Sequence, residues 1–133
     1  MNRQQLQVKQ FHVAFKVPTQ DRPKFPATDR CKLRVELIRE ELREFERAIA
    51  DNDLVAVADA LADLLYVVNG AGVEFGIDLA RIFEEVHASN MSKLDNQGRA
   101  ILRADGKVLK SLNYRPPRIR ELIKILSNKR GKL

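Results

Sequence analysis

Six carboxylates at helical spacing are where this sequence could do chemistry. In the segment ADALADLLY, Asp59 and Asp63 stand four residues apart. On a helix they share one face a turn apart, and Tyr66 and Gly70 extend the same stripe. The residues around them are apolar on nearly every side. A carboxylate buried in such surroundings must protonate, pair or coordinate a cation. In ELIREELREFE, Glu36, Glu40 and Glu44 follow at one-turn intervals, with Glu41 on the shoulder beside Glu44. Each stripe alone also fits a solvated face. This holds especially for the second, where Arg39, Arg43 and Arg47 supply opposite charge. Two neighbouring helices that both present carboxylates are harder to read that way, because like charges repel unless a divalent cation neutralises them. Every candidate ligand is an oxygen, and neither cluster contains His or Cys. That favours Mg2+ or Mn2+ over zinc.

The elements that must position these groups are legible from periodicity. A first helix is expected over about Arg3 to Phe15, with Leu6, Phe11 and Phe15 as its apolar contacts. Residues Val17–Ala27 contain Pro18, Pro23 and Pro26 and should form an extended, ordered loop. Thr28 or Asp29 can cap a second helix running to about Ala50. Its residues Cys31, Val35, Ile38, Leu42, Phe45 and Ile49 recur at steps of three and four and define a buried stripe. Asp51-Asn52-Asp53 is a turn, with Asp53 as the cap of a third helix. From Leu54 to Val68 that helix is apolar nearly all round and belongs in the middle of a bundle. Gly70, Gly72 and Gly76 should loosen its end. A fourth helix runs from Ile77-Asp78 to about Asn90, with Leu79, Ile82, Phe83 and Val86 inward. Asn96 to Asn113 lacks helical period and suggests a loop or short hairpin. Pro116-Pro117 starts a last helix, Arg118–Ser127.

The length of 133 residues suits one domain. A composition 44% hydrophobic and 32% charged fits a folded globular protein. MNRQQLQVKQ is not a secretory signal, and no run is expected to reach the roughly 18 apolar residues of a membrane span. Cys31 is the single cysteine, so we expect a near-core thiol, a reducing cytoplasm and no zinc finger. The net charge of +6 divides into +4 over residues 1–30, −7 over residues 31–85 and +9 over residues 86–133. An acidic middle between basic ends suits a carboxylate metal centre with cations nearby to receive phosphates.

LIREELREFE followed by VADALADLLYVVNGAG resembles the signature of the MazG and all-alpha NTP pyrophosphohydrolases. That signature is E-E-x-x-E on one helix and E-x-x-D on the next, joined by a short turn. Glu40, Glu41 and Glu44 match the first part, and Asp63 the closing Asp. FGIDLARIFEEVHASNMSK and RADGKVLKSLNYRPP resemble a MazG-like subgroup, frequent in bacteria and phages, described as phosphoribosyl-ATP pyrophosphohydrolase-like. With QFHVAF, the likeness covers most of the chain. There is one departure: the motif's second-helix Glu falls at Ala60, which cannot bind metal. Asp59, one residue earlier, shares a face with Asp63 and is our own candidate to replace it.

The resemblance implies an all-α, MazG-like bundle of four or five helices forming one domain over 1–133, assembled as a homodimer or homotetramer. It implies Mg2+ or Mn2+ on Glu41, Glu44 and Asp63, and a water activated by Glu40 or Glu41, whichever is less committed to metal. The reaction would split a nucleoside triphosphate, preferably a deoxynucleotide and conceivably a purine such as dGTP or dATP, into monophosphate and pyrophosphate. Asn90 and Lys93 match the N-x-x-K that meets phosphate in MazG proteins. Arg103, Lys107 and Lys110 could close over the triphosphate, while His12, Phe15 and Tyr66 line the base or sugar pocket. Neither a membrane nor nucleic acid is an expected partner. One rival is a basic helical nucleic-acid binder built on Arg115–Arg120 and Lys124–Lys132, which leaves the central carboxylates unexplained. Another is a MazG scaffold without activity.

Overall fold

The computed structural model describes residues 1–128; Lys129, Arg130 and Lys132 of the basic tail lie outside them. Five helices run in the order α1 (Arg3–Ala14), α2 (Thr28–Ala50), α3 (Leu54–Glu74), α4 (Leu79–Met91) and α5 (Ile119–Asn128). The described residues form two compact units, 1–79 and 80–128.

In the first unit α3 packs against both α1 and α2. α1 starts where the Asn2 side chain accepts the Gln5 N–H at 2.8 Å. α2 departs from expectation at its start: the cap is Ala27, without a side-chain bond, and Thr28 and Asp29 lie inside the helix. The turn is as read. Asn52 takes the left-handed conformation at φ 52°, and Asp53 Oδ1 accepts the N–H groups of Val55 and Ala56 at 2.9 and 3.0 Å.

α3 runs six residues beyond Val68, straight through Gly70 and Gly72. Those glycines do not loosen the helix; they let neighbours approach. A methyl group at Gly70 would stand 2.8 Å from Arg34 Nη1 and 3.2 Å from His12 Nε2. Gly76, at φ 64°, ends the helix directly under the backbone of Arg22. The proline-containing strap from Val17 to Ala27 lies over that end. Gln20 N and Lys24 N donate to the carbonyls of Val73 and Phe75, both at 3.1 Å, and Gln20 Nε2 donates to the Glu74 carbonyl at 2.5 Å. Phe25 meets Phe75 edge-on.

The interior of this unit is more polar than the periodicity suggested. Gln5, Val8, His12, Arg34, Ala48, Ala60, Asn69, Val73 and Glu74 are buried, whereas Leu6, Phe11 and Phe15 are exposed. The expected α2 stripe is split: Cys31, Ile38 and Phe45 are half-buried, and Val35, Leu42 and Ile49 are exposed. On α3, Leu61, Leu65 and Val68 are 40–54% exposed. By length and composition α3 is apolar enough to cross a membrane, contrary to expectation, with a mean hydropathy of 1.6 over an 18-residue window. Only 17% of that window is buried within the chain. The apolar pattern therefore marks more surface than one copy of the chain covers.

In the second unit, Glu85 Oε1 accepts from Arg115 Nη1 at 2.7 Å and from the Arg118 N–H at 3.0 Å. These bonds tie α4 to the segment that leads into α5. They hold the Glu85 carboxyl down at about 2, the Arg118 backbone bond contributing most. Ser89 and Ser92 anchor the same segment through Arg115. Leu126 is buried, while Phe83 and Val86, expected inward, are exposed. Residues 99–110 form a short hairpin with one antiparallel bridge, Leu102 to Val108.

Candidate active site

Arg34, Glu41 and Ala48 stand seven residues apart on α2, a spacing that keeps them on one face. Arg34 and Ala48 are buried and Glu41 is half-buried, so this is the face turned to α3. Burial pushes the Glu41 carboxyl above the usual carboxylate range, and Asp63, Glu44, Glu40 and Asp59 push it further, in that order. Four carboxylates from two helices thus act on Glu41 through their like charge.

An open groove beside the turn that joins α2 to α3 is lined by Glu44, Arg47, Ala48, Asp51, Asp53, Ala56, Asp59 and Ala60. Ala60, where the motif would have Glu, is 3% exposed. Asp59 and Asp63 are exposed beside it. Glu36 takes no part: it is exposed and paired to Arg39 at 2.5 Å. Glu44 lies 3.7 Å from Arg47. Among the described residues no three acidic, His or Cys side chains are close enough as they stand to hold a metal ion. The group is therefore open, with Asp59 and Asp63 exposed and Glu44 near Arg47.

Tyr66 follows Asp63 by one turn and carries the stripe to an aromatic group. Phe11 stacks on Phe15 with centroids 4.3 Å apart and meets Tyr66 edge-on at 5.8 Å. Phe15 and Tyr66 are thus brought together on an exposed face, through Phe11. His12 meets Phe11 edge-on with centroids 6.4 Å apart but does not share that exposure. It is 2% exposed, its Nδ1 bonds to the Pro18 carbonyl at 3.1 Å, and burial lowers its pKa. Its role is to hold the strap to α1.

The expected phosphate ligands all lie in the second unit, several with local partners. Lys93 Nζ donates to Asn90 Oδ1 at 2.8 Å. Arg103 makes a two-bond pair with Asp105 at 2.9 and 2.5 Å, and Asp105 also accepts the Lys107 N–H. Lys110 Nζ sits 4.2 Å from the Tyr114 ring centroid. The hairpin cations therefore shape the hairpin as well as charge it.

Sequence reasoning missed a buried group beside these clusters. Glu74, 1% exposed, is held by Arg30 and by Arg34, the latter at 2.5 Å. Burial raises its carboxyl, but the two guanidinium groups outweigh this and hold it below the usual range. A signal was present: Arg30 and Arg34 share one face of α2, and Glu74 continues the Asp59–Asp63–Gly70 stripe by one more turn.

Residues 8–90 match the family described as phosphoribosyl-ATP pyrophosphohydrolase. The match takes in both acidic stripes, the aromatic group and Asn90, and ends before Lys93 and the hairpin. Over 48 residues the chain is 50% identical to an uncharacterized protein of Acanthamoeba polyphaga mimivirus, a stretch that is 36% of this chain and 19% of that protein. The chain spans about a fifth of that relative's length. With the matched region covering every carboxylate that acts on Glu41, the chain belongs to the phosphoribosyl-ATP pyrophosphohydrolase family, in the superfamily of the MazG-like NTP pyrophosphohydrolases.

Proposed function

We propose that the chain hydrolyses a nucleoside triphosphate between its α and β phosphorus atoms, releasing a nucleoside monophosphate and pyrophosphate. The observation that carries this is the match of residues 8–90 to a pyrophosphohydrolase family, a stretch in which the like charge of four carboxylates on α2 and α3 acts on the half-buried Glu41. Like charges gathered at a helix pair oppose folding and persist where a cation offsets them. The donor set, all carboxylate oxygen, fits Mg2+ or Mn2+. Glu41, Glu44 and Asp63 would hold it, with Asp59 in place of the motif's Glu. When bound, the cation supplies charge neutralisation for the triphosphate oxygens.

The chain's own groups account for the remaining work. Glu40, adjacent to Glu41 and more exposed, orients the attacking water and takes its proton. The water oxygen bonds to the α phosphorus as the bond to the bridging oxygen breaks, and the electron pair leaves with pyrophosphate. Phe11, Phe15 and Tyr66 offer ring faces to the base. Lys93 with Asn90, and Arg103, Lys107 and Lys110 of the hairpin, are the candidate phosphate contacts.

A deoxynucleoside triphosphate is our preferred substrate. The family's description names phosphoribosyl-ATP, whose triphosphate is cleaved at the same kind of bond, so it belongs in the comparison. We further propose that a homodimer or homotetramer in the cytoplasm covers the exposed apolar faces of α2 and α3, with no membrane involved.

The test is a panel of canonical and modified triphosphates together with phosphoribosyl-ATP, incubated with Mg2+ or Mn2+ and resolved by product. Pyrophosphate with a monophosphate is expected, and Glu44→Ala or Asp63→Ala should abolish it while the helical signal persists. Orthophosphate as the product, or full rates in both variants, would refute the assignment.

A further inference from the structure

The buried ion pairs at the far end of α3 bear on the carboxylate face. Arg34 lies two turns, about 10 Å, before Glu41 on the same face of α2. Glu74 lies three turns after Asp63 on nearly the same stripe of α3. One end of the α2–α3 contact is therefore Arg34 and Arg30 clasping Glu74. At the other end two small residues, Ala48 and Ala60, are buried and line one groove.

Small side chains let helices come near but do little to fix one helix along the other. A buried charge pair does fix it, because a slip of one residue, about 1.5 Å, would separate oppositely charged groups away from water. Arg34 is also costly as a stabilising device, since its Nε is buried without a hydrogen-bond partner. An incompletely satisfied buried guanidinium is better explained by register than by net stability. The closeness of Gly70 to Arg34 Nη1 leaves the guanidinium little room to settle elsewhere.

We infer that Glu74, through Arg30 and Arg34, is a positioning residue that sets the axial register of α2 against α3 and so holds Glu41 and Glu44 opposite Asp59 and Asp63. The inference rests on the proposed reading of those four residues as ligands of a divalent cation. Glu74 itself touches neither cation nor substrate; it acts through the helix pair.

The test compares the full-length wild type with Glu74→Gln and with a matched control, Gln5→Ala. Gln5 is equally buried, and its amide holds the Ile77 carbonyl at 2.7 Å and the Leu79 N–H at 3.1 Å, apart from the acidic stripes. Mn2+ binding is read without nucleotide from the loss of the free-ion resonance signal, and thermal unfolding is read alongside. Both variants should melt earlier. Glu74→Gln should bind Mn2+ about 10–100-fold more weakly, the loss usual when a residue supporting metal ligands is removed. Gln5→Ala should bind as wild type does, and Glu74→Asp should recover part of the loss.

Should Glu74→Gln fail to fold, Arg30→Gln replaces it, because that side chain is 26% exposed and the Arg34 pair survives. Wild-type Mn2+ affinity in a destabilised Glu74→Gln or Arg30→Gln would overturn the inference, as would a wild type that takes up no Mn2+. A wild type that binds Mn2+ but releases no pyrophosphate would overturn only the hydrolytic reading.

Discussion

Replacing Glu41 by Gln should stabilise the metal-free protein. Glu41 is half-buried, and Asp63, Glu44, Glu40 and Asp59 all act on it with like charge. A like-charge pair at helix-surface separations costs about 0.2–0.5 kcal/mol, so four such neighbours together oppose folding by about 1–2 kcal/mol. Gln keeps the shape of Glu and removes the charge. For a chain of 133 residues, a gain of about 1 kcal/mol corresponds to a melting point higher by roughly 3–6 °C.

The sign with pH follows from the same cause. The folded carboxyl sits above its ordinary 4.5, so the folded chain holds that proton more tightly than the unfolded chain does. The stabilising contribution is full below pH 4.5 and is lost as pH rises through the folded value. The advantage of Glu41→Gln should accordingly be present at pH 7.5 in EDTA and low salt, shrink with added salt, and close near pH 4. Mn2+ should reverse the order, raising the melting point of wild type more than that of the variant. Differential scanning calorimetry in these four conditions is the assay. A Glu41→Gln protein that melts no higher than wild type at pH 7.5 in EDTA would refute the claim that the carboxylates act on Glu41 with like charge.

Two further expectations concern packing. Ala60→Glu restores the motif's acid at a position only 3% exposed, so overpacking should cost about 1–3 kcal/mol in urea unfolding. On the proposed reading, in which Asp59 fills the role, Mn2+ affinity should not rise, and an increase would show that position 60 remains the ligand position. Gly70→Ala should destabilise the chain by about 1–3 kcal/mol, even though Ala is about 1 kcal/mol the better helix former. The new methyl would stand 2.8 Å from Arg34 Nη1, and that guanidinium is held in place by Glu74. A more stable Gly70→Ala protein, by the same unfolding assay, would show that Arg34 yields freely.

The helices and the acidic motif were legible because both depend on short-range spacing. Apolar recurrence placed α1, α2, α4 and α5 to within two residues and the start of α3 at Leu54, though not its end, and Asp53 at the turn capped α3 as its chemistry requires. Burial was less legible. Leu61, Leu65 and Val68 of α3, and Val35, Leu42 and Ile49 of α2, carry the apolar signal of a core but remain exposed in one chain. Periodicity says which face is apolar, not what covers it. The converse failure was Gln5, His12, Arg34 and Glu74, polar residues that are buried because each finds a partner far away in sequence. Spacing within one helix can place Arg30, Arg34 and Glu74 on faces of α2 and α3, but it does not say that those faces meet. Arg103 was read as free charge for phosphate, whereas it pairs with Asp105; Arg34, given no role from the sequence, pairs with Glu74.

The strap ahead of α2 has a consequence for how this fold can be cut. The carbonyls that close the last turn of α3 are satisfied by Gln20 and Lys24, residues some fifty positions earlier. A fragment beginning at Thr28 would retain every carboxylate of the acidic stripes and yet leave that turn open to water, loosening the turn that presents Glu74 to its arginines. A piece of the first unit that keeps the last turn of α3 closed therefore has to include the strap as well as the two acidic helices.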